Sequence, residues 1–103
     1  MTARLQSILK MLEQTPTDAF LLYAAAMEHR KAGNLKEAVA LFDRCIVSDP
    51  TYCYAYYHKG QTLEEFGDAD AAKDAYRAGI EQARRIDDAK ALSELQTALD
   101  DVA

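Results

Sequence analysis

Four punctuating residues recur at one interval: Pro16 and Pro50 are 34 residues apart, and so are Gly33 and Gly67. The same shift superposes Thr17 on Thr51, Tyr23 on Tyr57, Ala38 on Ala72, Phe42 on Tyr76 and Ile46 on Ile80. A fixed period of this length describes a stack of small similar units. Each unit leaves an apolar face that only its neighbour can cover, so the chain is confined to repeat architectures.

Inside each unit the apolar spacing is helical. Ala19, Leu22, Ala26 and His29 recur on one face, and Leu35, Ala38, Leu41, Phe42, Cys45 and Ile46 do so again after the "AGN" turn. Two antiparallel helices per unit follow. Gly33 and Gly67 suit the positive φ of a tight reversal. Asn34 with Glu37 reads as a capping box, Asp68 as the equivalent cap, and Thr17 and Thr51 as caps of the first helix of each pair. The flanks fit the same scheme. Leu5, Ile8, Leu9 and Leu12 lie on one face ahead of Pro16, in the register of a second helix without its first. Leu92, Leu95, Leu99 and Val102 form a stripe after Asp87 or Asp88, which reads as a terminal capping helix. The expectation is one all-α domain of about six helices over residues 1–103: a half-repeat at 1–16, repeats at 17–50 and 51–84, and the cap at 85–103.

The motif residues add a resemblance. Leu22, Ala25-Ala26, His29, Ala38, Phe42 and Pro50 in the first copy, and Tyr56, Lys59-Gly60, Leu63, Ala72 and Tyr76 in the second, resemble the tetratricopeptide repeat pattern, with departures at His29, Lys59, Gly79 and Arg84. The resemblance spans residues 17–84 and implies a short right-handed solenoid whose first helices line a concave, protein-binding surface. The chain looks similar to short free-standing bacterial proteins of the family, which implies protein binding; the expectation is a non-enzymatic scaffold or adaptor.

The segment "TYCYAYYHKG" at 51–60 poses the question of what its four tyrosines do. At about 100° per residue, Tyr56 shares a face with Gly60 and Leu63 and is core, whereas Tyr54, Tyr57, Gln61 and Glu64 turn elsewhere. Phe20, Tyr23, Met27 and Arg30 occupy the equivalent side of the first repeat. With His58 these are the candidate peptide- or protein-binding residues, and Phe20, Tyr23, Tyr54 and Tyr57 would form an aromatic floor. Tyr52 falls in the turn and receives no role. Tyrosine suits a binding surface because it brings area and a hydroxyl with few rotamers to freeze. Two alternatives stand beside a groove: the same rings covered by a terminal helix, or a homodimer in which they, or the stripe of Leu5, Ile8, Leu9 and Leu12, meet a symmetry mate.

The resemblance also implies a test. Family members that grip acidic C-termini use a clamp of lysine, asparagine and arginine; here the matching places hold Tyr23, Met27, His58, Asp88 and Leu92, so no clamp is expected. Arg30 and Lys31 beside Glu64 and Glu65 give a mixed surface suited to a neutral or amphipathic segment.

Charge and composition exclude other classes. The net charge of −5 argues against nucleic acid, whose affinity rests on lysine and arginine. Acidity is uneven: residues 1–47 carry six basic and five acidic side chains, and residues 48–103 carry six and twelve, so a basic ligand would be drawn to the second half. No apolar run approaches the ~20 residues of a membrane span, and the N-terminus lacks a signal-peptide core, which makes a cytoplasmic location the expectation. Cys45, Cys53, His29 and His58 show no metal spacing, and the carboxylates fall in no catalytic order. No enzyme, cofactor, metal, nucleic-acid or membrane role is expected.

Overall fold

The computed structural model describes residues 2–102. They form six α-helices in chain order: α1 Ala3–Gln14, α2 Ala19–Lys31, α3 Leu35–Ser48, α4 Cys53–Phe66, α5 Ala69–Arg85 and α6 Ala89–Asp101. Each packs on the next, α4 also touches α2 and α6 directly, and α1, α3 and α5 do not touch one another. The shortest molecular axis, 18 Å, corresponds to two helix thicknesses. One layer is the row α2, α4, α6, whose members are in contact. In the other, α1, α3 and α5 are splayed. A row in contact backed by a row held apart bends the stack toward the contacting side, so α2, α4 and α6 line the concave face.

The turns explain why each helix reverses where it does. Gly33 (φ 83°) and Gly67 (φ 95°) both take the left-handed conformation. Around them Asn34 N–H bonds to His29 O and Gly33 N–H to Arg30 O, with the same pair repeated from Asp68 to Leu63 and from Gly67 to Glu64. A third copy of this turn follows α5, but there Asp87 supplies the positive φ, 56°, without a glycine. Asp88 N–H then bonds to Ala83 O, and the Asp88 side chain caps α6 at Ala91 N–H, 3.0 Å.

Several expected caps are corrected. Asp18, not Thr17, caps α2 by accepting from Leu21 N–H at 3.0 Å; Thr17 instead offers its carbonyl to the Ser48 hydroxyl. Thr51 does not cap α4 either, because its N–H and hydroxyl both donate to Asp49 Oδ1 at 3.1 and 2.8 Å, which leaves Tyr52 at the cap position. Asn34 sits at the start of α3 but makes no side-chain cap, since its amide turns to His29 Nδ1 at 3.2 Å. Asp68 caps α5 as expected, 3.0 Å from Ala71 N–H.

Leu5, Ile8 and Leu12 are buried in the cluster that contains Leu22, Ala25, Ala26, Phe42 and Cys45. That stripe is consumed inside the fold, with α1 packed on α2, and is not available to a symmetry mate. The second cluster joins Tyr56, Leu63, Ala72, Tyr76 and Ile80 to Ala91 and Leu95 of α6, so α6 packs on the apolar side of the α4–α5 hairpin. Two glycines set the spacing there. A Cβ on Gly60 would lie 2.3 Å from Tyr76 Cε1, and one on Gly79 would lie 2.7 Å from Tyr56 Cβ and 3.0 Å from Leu95. Gly79, a departure from the family pattern by sequence, is thus the point where α4, α5 and α6 approach one another.

Candidate peptide-binding groove

The concave face is built around a row of half-buried rings. Tyr23 of α2 and Tyr57 of α4 flank His58, with ring centroids 5.7 and 5.1 Å from the imidazole. Beneath them lie the fully buried rings of the other layer: Phe42 is 6.1 Å from Tyr23, and Tyr76 is 6.3 Å from Tyr57. The 34-residue shift that superposes the two hairpins therefore also superposes two surface-over-core ring pairs. Tyr52 joins them at 5.1 Å from Tyr23. Its place in the turn ahead of the helix predicts no role, yet the cap position tips its ring back onto α2. Burial pushes its hydroxyl up to about 12. Phe20, 64% exposed, and half-buried Tyr54 lie on the same helices but join no ring pair among the described residues. Met27 packs against the first core cluster.

Polar side chains tie the ring row across the α2–α4 seam. Arg30 Nε and Nη2 donate to one oxygen of Glu65 at 2.9 and 2.6 Å, Nη2 reaches Gln61 Oε1 at 3.3 Å, and Nη1 lies 3.2 Å from His58 Nδ1. A guanidinium can only donate, so Nδ1 is the acceptor and the ring proton sits on Nε2. Burial, and then the charge of Arg30, hold the His58 pKa below its ordinary value, while Glu94 acts weakly the other way. Gln61 Nε2 donates to the Tyr57 hydroxyl at 2.9 Å, and the Tyr76 hydroxyl donates to Glu64. The cation of this seam is committed to the protein itself. Lys31 is likewise paired, 3.5 Å from Glu28, a buried carboxylate that Arg4 also approaches at 3.6 Å.

The α4–α6 side is different. A cleft of about 440 Å³ opens between Tyr57, Gln61 and Glu64 of α4 and Ser93, Glu94, Thr97, Ala98 and Asp101 of α6. The apolar stripe of α6 predicts a cap and gives no sign of its share of this wall. The cause is a break in the period: α2 and α4 start 34 residues apart, at Ala19 and Cys53, whereas α6 starts 36 after α4, at Ala89. On that shift Ser93, Glu94 and Thr97 fall on Tyr57, His58 and Gln61. The positions compared with a clamp thus hold Lys90 and Glu94, not Asp88 and Leu92. The length of α5, 17 residues against 14 for α3, is the signal that marks the break.

Cys45 and Cys53 are buried, and burial raises both thiols, Cys45 to about 11, so neither is a thiolate near neutrality. Among the described residues no cluster of histidine, cysteine or carboxylate side chains could hold a metal ion, and no helix is long and apolar enough to cross a membrane.

Stacked helical hairpins with a concave inner row define an α-solenoid. Models of the tetratricopeptide repeat match residues 21–52 and 41–74. A tetratricopeptide repeat domain protein from Salinibacter ruber is 45% identical, covering 82% of this chain and 85% of that one, with a TM-score of 0.76. A Bordetella parapertussis protein is 25% identical over 99% of this chain and 89% of its own, with a TM-score of 0.84. The TPR2B domain of yeast Sti1, solved in a complex with pHsp70, shares the fold at 19% identity, a TM-score of 0.86, and coverage of 92% of this chain and 76% of that one. The chain belongs to the tetratricopeptide repeat family, whose members are generally non-catalytic protein-interaction modules.

Proposed function

We propose that this protein is a non-enzymatic scaffold or adaptor that holds a peptide or protein segment along its concave face, as one domain made of a half-repeat, two repeats and a capping helix. The observation that carries the reading is the row Tyr23, His58 and Tyr57: half-exposed rings held rigid by a buried ring layer and by the Arg30 network. Such a row offers contact area whose ordering cost is already met in the free protein. That a domain of the same fold, TPR2B of yeast Sti1, forms a complex with pHsp70 supports the reading at the level of the fold. The remaining candidates, Phe20, Met27, Tyr54, Gln61 and Glu64, would extend the contact along α2 and α4.

Photo-crosslinking tests this directly. A benzoyl-phenylalanine placed at Gln61, in the groove, is expected to capture a distinct partner protein, and the same probe at Val47, 82% exposed on the opposite layer, is expected not to. Capture only from Val47 would overturn the groove. Crosslinks from Gln61 to a second copy of the chain would replace it with the homodimer reading.

A further inference from the structure

The two halves of the concave face differ in charge: one is neutralised internally and the other is acidic. In the α2–α4 half, Arg30 is satisfied by Glu65, Gln61 and His58. In the α4–α6 half, the cleft is walled by the carboxylates of Glu64, Glu94 and Asp101 and the hydroxyls of Ser93 and Thr97, with no lysine or arginine in its lining. No ion pair forms to any of those three carboxylates among the described residues; Lys90, one turn before Glu94, stands outside the lining. Glu64 is held in position from below by the Tyr76 hydroxyl, and the Tyr57 ring supplies an aromatic wall beside it.

We infer that the α4–α6 cleft seats an arginine or lysine of the bound segment, so that the partner is a basic-containing peptide rather than an acidic one. This deepens the concave-face reading and rests on it. An incoming carboxylate meets three like charges and no cation in the lining, whereas an incoming guanidinium or ammonium finds three carboxylates without ion pairs and an aromatic face to lie against. The Arg30 half, internally neutralised, then contacts the uncharged part of the segment through Tyr23 and Met27. The asymmetry fixes a direction as well as a composition, since the basic residue belongs at the α6 end.

A displayed library of random decapeptides, selected on the whole protein at about 0.1 M salt, tests the inference. The expected result is a consensus with an apolar portion and at least one arginine or lysine. The double variant Glu94→Gln with Asp101→Asn leaves Glu64 and its Tyr76 bond intact, and is expected to reduce the basic enrichment by about threefold or more while keeping the apolar portion. Raising salt to about 0.5 M with the unaltered protein is expected to do the same, which frees the test from any effect of the substitutions on folding. A neutral or acidic consensus that disappears with Tyr57→Ala overturns the basic partner and leaves the groove standing. Basic enrichment that survives both the double variant and high salt places the charge elsewhere and overturns the cleft assignment. Enrichment of no peptide at all overturns both readings.

Discussion

The α2–α3 and α4–α5 hairpins follow the same backbone plan and fill it differently. At one pair of equivalent positions the first hairpin has Ala26 and Phe42, both fully buried; the second has Gly60 and Tyr76, with the ring occupying the space a Cβ would need. The larger ring is accommodated by the smaller residue opposite, and its hydroxyl then reaches Glu64. At another pair, Ala24 of the first hairpin is replaced by His58 of the second, which brings the Arg30 network onto α4. The difference teaches that the period fixes where the backbone goes, while paired substitutions decide what chemistry the concave face displays.

That comparison can be broken at Gly60. Helix propensity alone predicts that Gly60→Ala stabilises by about 1 kcal/mol. Because the new methyl would meet a buried ring rather than a flexible tip, the sign should reverse, with a cost of about 1 to 3 kcal/mol in chemical denaturation and more for Gly60→Leu. Adding Tyr76→Phe to Gly60→Ala recreates the first hairpin's pair and frees the ring from Glu64. The double variant should recover part of the loss, and strict additivity would show that the two positions are not coupled.

The turns give a smaller contrast. Asp68 caps α5, so Asp68→Ala should cost about 1 kcal/mol. Asn34 makes no cap, so Asn34→Ala should cost less than about 0.5 kcal/mol; equal losses in thermal melts would contradict the two turn geometries. The smallest effect concerns His58. Its folded pKa lies below its ordinary value of 6.5, so the neutral ring is the form the fold favours. The unfolded chain then binds the extra proton first, and stability present above about pH 6.5 is lost as the pH falls through the lowered folded value. His58→Gln should remove that pH dependence, so the acid-side loss of the unaltered protein is missing from the variant, and the difference between their melts changes only as the pH falls below about 6.5.

Much of this was legible in the sequence because glycine, proline and the helical apolar stripe act locally. Gly33 and Gly67 mark two reversals, and Tyr56, Gly60 and Leu63 share the packed face as their spacing implies. What escaped depends on contacts between segments. Thr17 and Thr51 have the chemistry of caps, but Asp18 takes the cap of α2 and the Asp49 carboxylate engages Thr51's own N–H and hydroxyl. Asp87 does a glycine's work with no glycine to flag it. Tyr52 looked like turn filler until α2 was placed beside it, and Gly79 looked like decay until Tyr56 and Leu95 converged on it. On the concave face, the helical spacing brings out Tyr23, Tyr57, His58 and Gln61 but not the α6 wall, because the spacing changes from 34 to 36 at the last helix.

The splay of α1, α3 and α5 gives the protein the mechanics of a leaf spring. The row α2, α4, α6 acts as the hinge line, and the apolar cleft between α3 and α5, about 660 Å³ with Tyr56 and Leu63 among its lining, is slack on the far side of it. Flattening the curve would close that slack without compressing any contact in the inner row, and steepening it would open the slack further. The curvature of the inner row can thus change at the expense of empty space alone, while the order of α2, α4 and α6 along it is set by their direct contacts.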